Sequence, residues 1–86
     1  MNIKLMIHGR PGDYWRDTLY SWVLEVKDIL EDEYKVDIEV YVVDEDVTLP
    51  YITDDEGFIV FNEVLEEPGY LIEYIKSYLN RRLRSY

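Results

Sequence analysis

Few residues of this chain could carry out chemistry, and their types exclude most classes of enzyme. The 86 residues include a single histidine, His8, and no cysteine. Without cysteine the chain has no disulfide, no thiolate ligand for zinc and no thiol redox chemistry. A catalytic zinc site commonly uses two or three imidazoles, so one histidine argues against a zinc hydrolase.

The remaining candidates for chemistry are carboxylates. Asp13 could act as a general base near His8, or it could cap a helix and form an ion pair with Arg16 three residues further on. Two acidic turns, Asp44-Glu45-Asp46 and Asp54-Asp55-Glu56, could attract a divalent cation, but neither has the D-x-D-x-D-G spacing of a calcium loop. Phosphate-binding loops and serine-hydrolase motifs are also missing from the sequence. We therefore predict a chain that is not an enzyme, with no catalytic residue, no metal site and no cofactor.

The net charge of the chain limits the classes of partner that it can bind. The net charge is −10, and 18 of the 19 acidic residues lie in 13–67. Nucleic acid requires a basic surface to neutralise phosphates, so we predict no nucleic-acid binding. No apolar stretch is long enough to span a membrane and no leader peptide is recognisable, which predicts a cytoplasmic protein without membrane contact. Alanine and glutamine are both missing, a composition that leans toward proteins of high-temperature organisms.

In the first half of the chain, the spacing of the hydrophobic residues is that of a strand, then of a helix, then of a strand again. Asn2 to His8 has the two-residue period of a strand, and Val36 to Val43 has the same period with β-branched residues. Between them, apolar residues recur at steps of three and four from Asp13 to about Tyr34, which predicts a helix of five or six turns. Its expected apolar stripe consists of Trp15, Leu19, Trp22, Val23, Val26, Ile29 and Leu30.

The second half predicts a hairpin and a closing helix. Leu49–Thr53 and Phe58–Phe61 flank Asp54-Asp55-Glu56-Gly57, where the glycine suits a turn with positive φ. Glu66-Glu67-Pro68-Gly69 is expected to begin the last helix, because proline is favoured in a first turn. Arg81, Arg82 and Arg84 would then lie in its last turn, where cations complement the helix dipole.

The resulting order is β-α-β-β-β-α in one domain, residues 1–86. A right-handed crossover makes the first two strands parallel, and the hairpin adds two antiparallel strands. We therefore predict an α/β fold with a four-stranded mixed sheet and both helices on one face. This order is that of the minimal thioredoxin fold.

Two local motifs extend this likeness, and the chain resembles the glutaredoxin-like proteins along nearly its whole length. In that family a turn such as R-P-G precedes C-x-x-C at a helix start, and here Arg10-Pro11-Gly12 precedes Asp13-Tyr14-Trp15-Arg16. The family's second motif is a T-V-P-like tripeptide with a cis proline before the hairpin, and here it is Thr48-Leu49-Pro50. The resemblance therefore implies a cis peptide bond before Pro50. Asp13 and Arg16 occupy the positions of the two cysteines, so the family's thiol–disulfide exchange is excluded.

The resemblance implies a site for a ligand. In the family, the backbone before the cis proline pairs with a peptide or with glutathione. A small peptide or a thiol-containing ligand could therefore bind in a groove formed by Asp13, Tyr14, Trp15, Arg16, Leu49 and Pro50. This function is the alternative to the one that follows.

The preferred function is a redox-inactive module that acts through protein contacts. Only six residues, Asp44 to Leu49, separate the second strand from Pro50, whereas the family usually places a covering helix there. The sheet face opposite the two helices should therefore be partly bare and should present Lys4, Met6, Tyr41 and Val43. An uncovered apolar face of this kind is typical of an interaction surface. The second strand, Val36–Val43, should also lie at a sheet edge, where Asp37 and Glu39 would discourage pairing. We predict that Met6, Tyr41 and Val43 contact a protein partner, most simply a second copy in a homodimer formed through this face, the edge or both.

Overall fold

A computed structural model of the chain describes residues 1–63 and 68–84. Its elements are β1 (Asn2–Gly9), α1 (Tyr14–Tyr34), β2 (Asp37–Asp44), β3 (Tyr51–Thr53), β4 (Ile59–Phe61) and α2 (Pro68–Arg84). This is the order predicted from the sequence. Glu66 and Glu67, which we expected at the start of the last helix, lie outside the described residues.

The four strands form one mixed sheet in the order β2-β1-β3-β4. β1 pairs in parallel with β2 over its whole length and antiparallel with β3, and β3 pairs antiparallel with β4. Between β3 and β4, Ile52 pairs with Phe61, but the next residue, Thr53, pairs with Ile59. The register therefore shifts by one residue between these two pairs. Val60 is therefore an extra residue in β4, as in a β-bulge.

Both helices pack on one face of this sheet. Along β1, Ile3, Leu5 and Ile7 are completely buried, whereas the residues between them are only half-buried. α1 contacts β1 and β2, α2 contacts β4, and the two helices contact each other. The described chain therefore has two layers around one core, and the opposite sheet face, which we call the open face, carries no helix.

The helix α1 has the expected ends but a narrower buried stripe than predicted. Asp13 caps its N-terminus, and Lys35 ends it in the left-handed conformation with φ 56°. Leu19, Val23 and Leu30 are buried, but Ile29 is 58% exposed. Neighbouring helix positions are about 100° apart, so placing Leu30 in the core turns Ile29 toward the side of the helix. The prediction that Ile29 belongs to the core was wrong.

A buried polar network fixes the hairpin between β3 and β4 to α2. The carboxylate of Asp54, which is 4% exposed, accepts backbone hydrogen bonds from Glu56 and Phe58, both at 2.9 Å. Its other oxygen accepts the Tyr78 hydroxyl at 2.8 Å and the Arg82 guanidinium at 3.1 Å. A turn carboxylate thus holds the last helix as well as its own loop.

The network changes the pKa of two of its members, Asp54 and Tyr78. Burial opposes ionisation of Asp54, but the hydrogen bonds and the charge of Arg82 outweigh it, so the pKa of Asp54 lies below its usual value. Burial and the bond to Asp54 raise the pKa of Tyr78 from 10.0 to about 12. Folding therefore favours the carboxylate of Asp54 and the neutral phenol of Tyr78.

Tyr78→Phe tests this network through its pH dependence. Loss of the hydroxyl should lower the free energy of unfolding at pH 8 by about 1 kcal/mol. The contribution of a group with a raised pKa is complete below its unfolded pKa and is lost as the pH rises through the folded one. Denaturant titrations should therefore show the difference between wild type and Tyr78→Phe shrinking between pH 10 and about 12. An equal difference at both ends of that range would contradict the assignment.

Candidate functional site

The start of α1 holds four of the six residues expected to form a ligand groove. The Asp13 carboxylate accepts a hydrogen bond from the backbone N–H of Arg16 at 2.9 Å, which is the geometry of a helix cap. The spacing along the helix predicts an ion pair between the side chains of Asp13 and Arg16, but the Arg16 guanidinium does not bind Asp13. It reaches instead across the ends of the two parallel strands, to the Gly9 carbonyl at 3.1 Å and the Asp44 carboxylate at 2.7 Å.

Arg16 is 8% exposed and lies directly over Gly9. A Cβ at Gly9 would lie 2.8 Å from Cδ and 3.0 Å from Cβ of Arg16, closer than packed carbon atoms tolerate. Position 9 therefore requires glycine because the arginine stem occupies the space of a side chain. Arg16 joins β1, β2 and α1 at one point, which is a structural role at the position where the resembled family has a cysteine.

The other expected groove residues differ widely in exposure. Tyr14 is 84% exposed, whereas Trp15 is half-buried against the core and meets Trp22 edge to face at 5.3 Å. Leu49 is 40% exposed and Pro50 is buried. Because Arg16 and Pro50 are both buried, they offer little surface to a ligand.

The peptide bond before Pro50 is trans, since the described residues contain no cis peptide bond. The prediction of a cis bond, made from the family motif, was wrong. Proline already prefers the trans form by about 0.5–1 kcal/mol. Pro50 also precedes β3, so it can lack a ladder donor without a cis bond. One of the two local signatures of the family is therefore missing.

The open face holds the three residues expected at an interface. Met6, Tyr41 and Val43 lie on it, beside one another on β1 and β2, and Ile59 occupies the same face on β4. A groove of about 510 Å³ crosses this face, lined by Lys4, Met6, His8, Tyr41, Thr53, Asp54, Asp55 and Gly57. The structure thus places the expected interface residues together, next to a concavity that the sequence did not reveal.

His8 lies at one end of this groove and far along the chain from its partners. Its Nε2 is 2.7 Å from the Thr53 hydroxyl, and its ring stacks on Tyr51 with centroids 4.4 Å apart. We had considered His8 beside Asp13, but it belongs to a different cluster. Tyr51 lies directly opposite His8 on β3, so the cluster follows from strand register, which the hydrophobic pattern alone does not give.

Glu45 completes this cluster. The Tyr51 hydroxyl donates to Glu45 at 2.6 Å, which raises the pKa of Tyr51. The other carboxylate oxygen of Glu45 is 3.5 Å from Nδ1 of His8, within ion-pair distance but outside hydrogen-bond geometry. Since Thr53 is only 6% exposed, the cluster ties β1, β3 and the connection before β3 together and does not present a nucleophile.

The acidic turn at 44–46 has protein partners for its carboxylates. Asp44 binds Arg16, Glu45 binds Tyr51, and Asp46 accepts from Arg10 at 2.8 Å. Within residues 1–63 and 68–84 there is no group of three or more histidine or acidic side chains that could hold a metal ion. Neither helix, over its described residues, combines the length and apolar character needed to cross a membrane.

No protein-family model, curated protein or solved structure matched the chain. The likeness to glutaredoxin-like proteins therefore continues to rest on the sequence motifs and on the order of the elements.

Gly9→Ala tests the contact between Gly9 and Arg16. The added Cβ must displace the arginine stem, so the free energy of unfolding should fall by about 1–3 kcal/mol, as for overpacked sites. Arg16→Ala is destabilising on its own account, because it removes the bonds to Gly9 and Asp44. In the double variant the Gly9→Ala penalty should largely disappear, and a double-mutant cycle from denaturant titrations measures that coupling. Strictly additive effects would show that the two residues do not share this space.

Proposed function

We propose that the chain is a redox-inactive contact module whose open face binds a second copy of the chain, giving a homodimer. The observation that carries this proposal is the uncovered sheet face, which has no helix over it in the described residues. Exposed apolar side chains on such a face, here Tyr41 and Ile59, favour a binding role for it. With no cysteine in the chain, binding and assembly remain as the roles that its chemistry favours.

The side chains of the open face suit a protein partner. Tyr41 is 43% exposed and Ile59 is 51% exposed. Met6, which pairs with Tyr41, and Val43, which follows on the same strand, are half-buried. Tyrosine and methionine are both enriched at interfaces, where they combine large apolar area with adaptable contacts. The groove beside them gives the surface the concave shape into which a partner's side chain can fit.

The dimensions of the chain also suit a stable dimer. The chain measures 35 × 25 × 18 Å along its principal axes. A contact over most of a broad side would bury on the order of 800 Å² per partner, which is the size of a specific interface. A smaller contact at one end of the chain would fall well below that area.

Charge sets the conditions under which such a dimer forms. Each copy carries −10, so two copies repel at low ionic strength. On the open face itself, Lys4 lies next to Glu39 on the neighbouring strand, and this mixture of signs leaves the face less repulsive than the chain as a whole. Salt screens the net repulsion over about 10 Å at 0.1 M. Self-association should therefore strengthen as salt is added.

We further propose that the fold is of the thioredoxin type, derived from a glutaredoxin-like ancestor, and that the protein is cytoplasmic. The element order, the sheet order and the Arg10-Pro11-Gly12 turn support this origin. The trans bond at Pro50 removes the main support for the ancestral ligand groove. The open face is therefore the better founded binding surface.

Ile59→Asp and Ile29→Asp form a matched pair for testing the dimer. Both isoleucines are more than half exposed, but Ile59 lies on the open face and Ile29 on α1. Sedimentation equilibrium at micromolar concentration should give about twice the 10.4 kDa chain mass for wild type and for Ile29→Asp. Ile59→Asp should give a single chain, as should Tyr41→Asp.

Two outcomes would contradict the proposed dimer. One is a wild-type mass of a single chain at every concentration and salt. The other is a dimer that survives Ile59→Asp and Tyr41→Asp but is lost in Ile29→Asp, which would move the interface to α1.

A further inference from the structure

The outer edge of β2 is a surface separate from the open face. β2 lies at the edge of the four-stranded sheet and pairs only with β1 among the described residues. It is eight residues long, keeps one register throughout and contains no proline and no lysine. Natural edge strands are usually protected from pairing by shortness, bulges, proline or charged side chains. β2 relies on its acidic residues alone for this protection.

The ladder with β1 shows which backbone groups of β2 face outward. The N–H of Asp37 donates to the carbonyl of Met1, which leads into β1. Successive residues of a paired strand direct their backbone groups to opposite sides. The N–H and C=O groups of Ile38, Val40 and Val42 therefore point away from the sheet. The N–H of Ile38 is already used, because the Glu31 carboxylate on α1 accepts it at 2.8 Å.

Val40 and Val42 have no such partner on this side among the described residues, so they carry the free backbone groups of the edge. Between and beside them lie the most exposed apolar side chains of the strand. Tyr41 and Val42 are each 43% exposed, Tyr41 on the open face and Val42 on the face of the helices. A contact on one face of the sheet cannot cover both, but a strand added beside β2 can.

Leu24, which is 42% exposed, lies on the side of α1 that faces this edge. Glu31 marks that side through its bond to Ile38, and Leu24 precedes Glu31 by seven residues, which places it within about 20° of the same side. α1 connects two parallel strands, so it runs antiparallel to β2. Seven helical residues span about 10 Å, the length of about three strand residues. Leu24 is therefore level with Tyr41.

The free groups of the edge suit a second copy of β2 in one antiparallel register. When Tyr41 lies opposite Tyr41 of the second copy, Val40 lies opposite Val42 and exchanges both backbone hydrogen bonds with it. Glu39 then lies opposite Val43, an uncharged residue. The pairing uses the free groups of both valines and places no two acidic residues of β2 directly opposite each other.

The neighbouring registers are less favourable. An axis at Val40 would need the N–H of Ile38, which is already bonded. An axis at Val42 would place Glu39 opposite Glu45, and like charges directly opposite destabilise pairing. A parallel pairing in register would place every acidic residue beside its own copy. Only the axis at Tyr41 avoids all three conflicts.

We infer that two copies of the chain pair through their β2 edges as antiparallel strands, with Tyr41 of one copy directly opposite Tyr41 of the other. The two-fold axis brings the exposed apolar residues Tyr41, Val42 and Leu24 of one copy together with the same residues of the other. Each copy carries −10, and the edge offers fewer side chains than the open face. The edge contact therefore forms at about millimolar concentration. It extends the proposed self-assembly to a second surface.

Single-cysteine variants test the register, because the chain has no cysteine of its own. Tyr41→Cys places two thiols directly opposite each other, with Cα atoms about 4.5 Å apart, within disulfide reach. Val43→Cys is the control, because its two copies lie about four residues apart along the ladder, or about 13 Å. Both are made in the Ile59→Asp chain, which removes the proposed open-face contact without touching β2. At about millimolar concentration in a thiol redox buffer, Tyr41→Cys should give at least about tenfold more covalent dimer than Val43→Cys.

Leu24→Asp and Ile29→Asp test the contribution of α1. Ile29 is also exposed, but it lies about 140° away from Leu24 around the helix. At about millimolar concentration, sedimentation of Ile59→Asp should give about twice the 10.4 kDa chain mass. Adding Leu24→Asp should weaken this association by about tenfold or more, because it places a charge in an apolar contact, whereas adding Ile29→Asp should change it by less than about twofold. Unchanged circular dichroism and a cooperative melt confirm that each variant is folded.

The outcomes separate the edge contact from the open-face dimer. A single chain for Ile59→Asp at millimolar concentration would overturn the edge contact and leave a wild-type dimer at micromolar concentration unaffected. Equal covalent dimer from Tyr41→Cys and Val43→Cys would refute the register. Conversely, a wild type that is a single chain at micromolar concentration, with selective cross-linking of Tyr41→Cys, would refute the open-face dimer and support the edge contact.

Discussion

Burial of one face of β1 in the hydrophobic core is the interaction on which the rest of the structure depends. Ile3, Leu5 and Ile7 have essentially no exposure, and each such side chain contributes about 1.5–3 kcal/mol by leaving water. β1 pairs with both β2 and β3, so the central strand positions every other element. α1 contacts β1, β2 and α2, and α2 contacts β4, so the two helices lie on the same side of the sheet. The bare face is the direct consequence of this arrangement.

The sequence was sufficient for the elements and for the side of the sheet on which they lie. Alternation in β1, the three- and four-residue steps of α1 and the glycine turn at 57 are local signals that the structure confirms. The open face followed from them, since the residues between Ile3, Leu5 and Ile7 must point the other way. These predictions held because each depends on a period that the sequence contains and that the core enforces.

Two of the failures concern contacts between segments distant in the chain. Arg16 was expected to pair with Asp13 on its own helix, but the Gly9 carbonyl and Asp44 attract its guanidinium more effectively. The His8 cluster depends on the register of β1 against β3, which no local pattern encodes. The cis bond expected at Pro50 is a property of the resembled family's motif, and nothing in the local sequence of this chain requires it, because Pro50 precedes β3 and can lack a ladder donor in the trans form.

The most direct test of the central claim, that the open face is a contact surface, is a search for intermolecular nuclear Overhauser effects in a mixture of isotope-labelled and unlabelled chains. The account predicts intermolecular contacts at open-face positions, such as Met6, Tyr41 and Ile59. The outer surface of α1 around Ile29 should show none. A mixture without intermolecular contacts, or with contacts confined to α1, would contradict it.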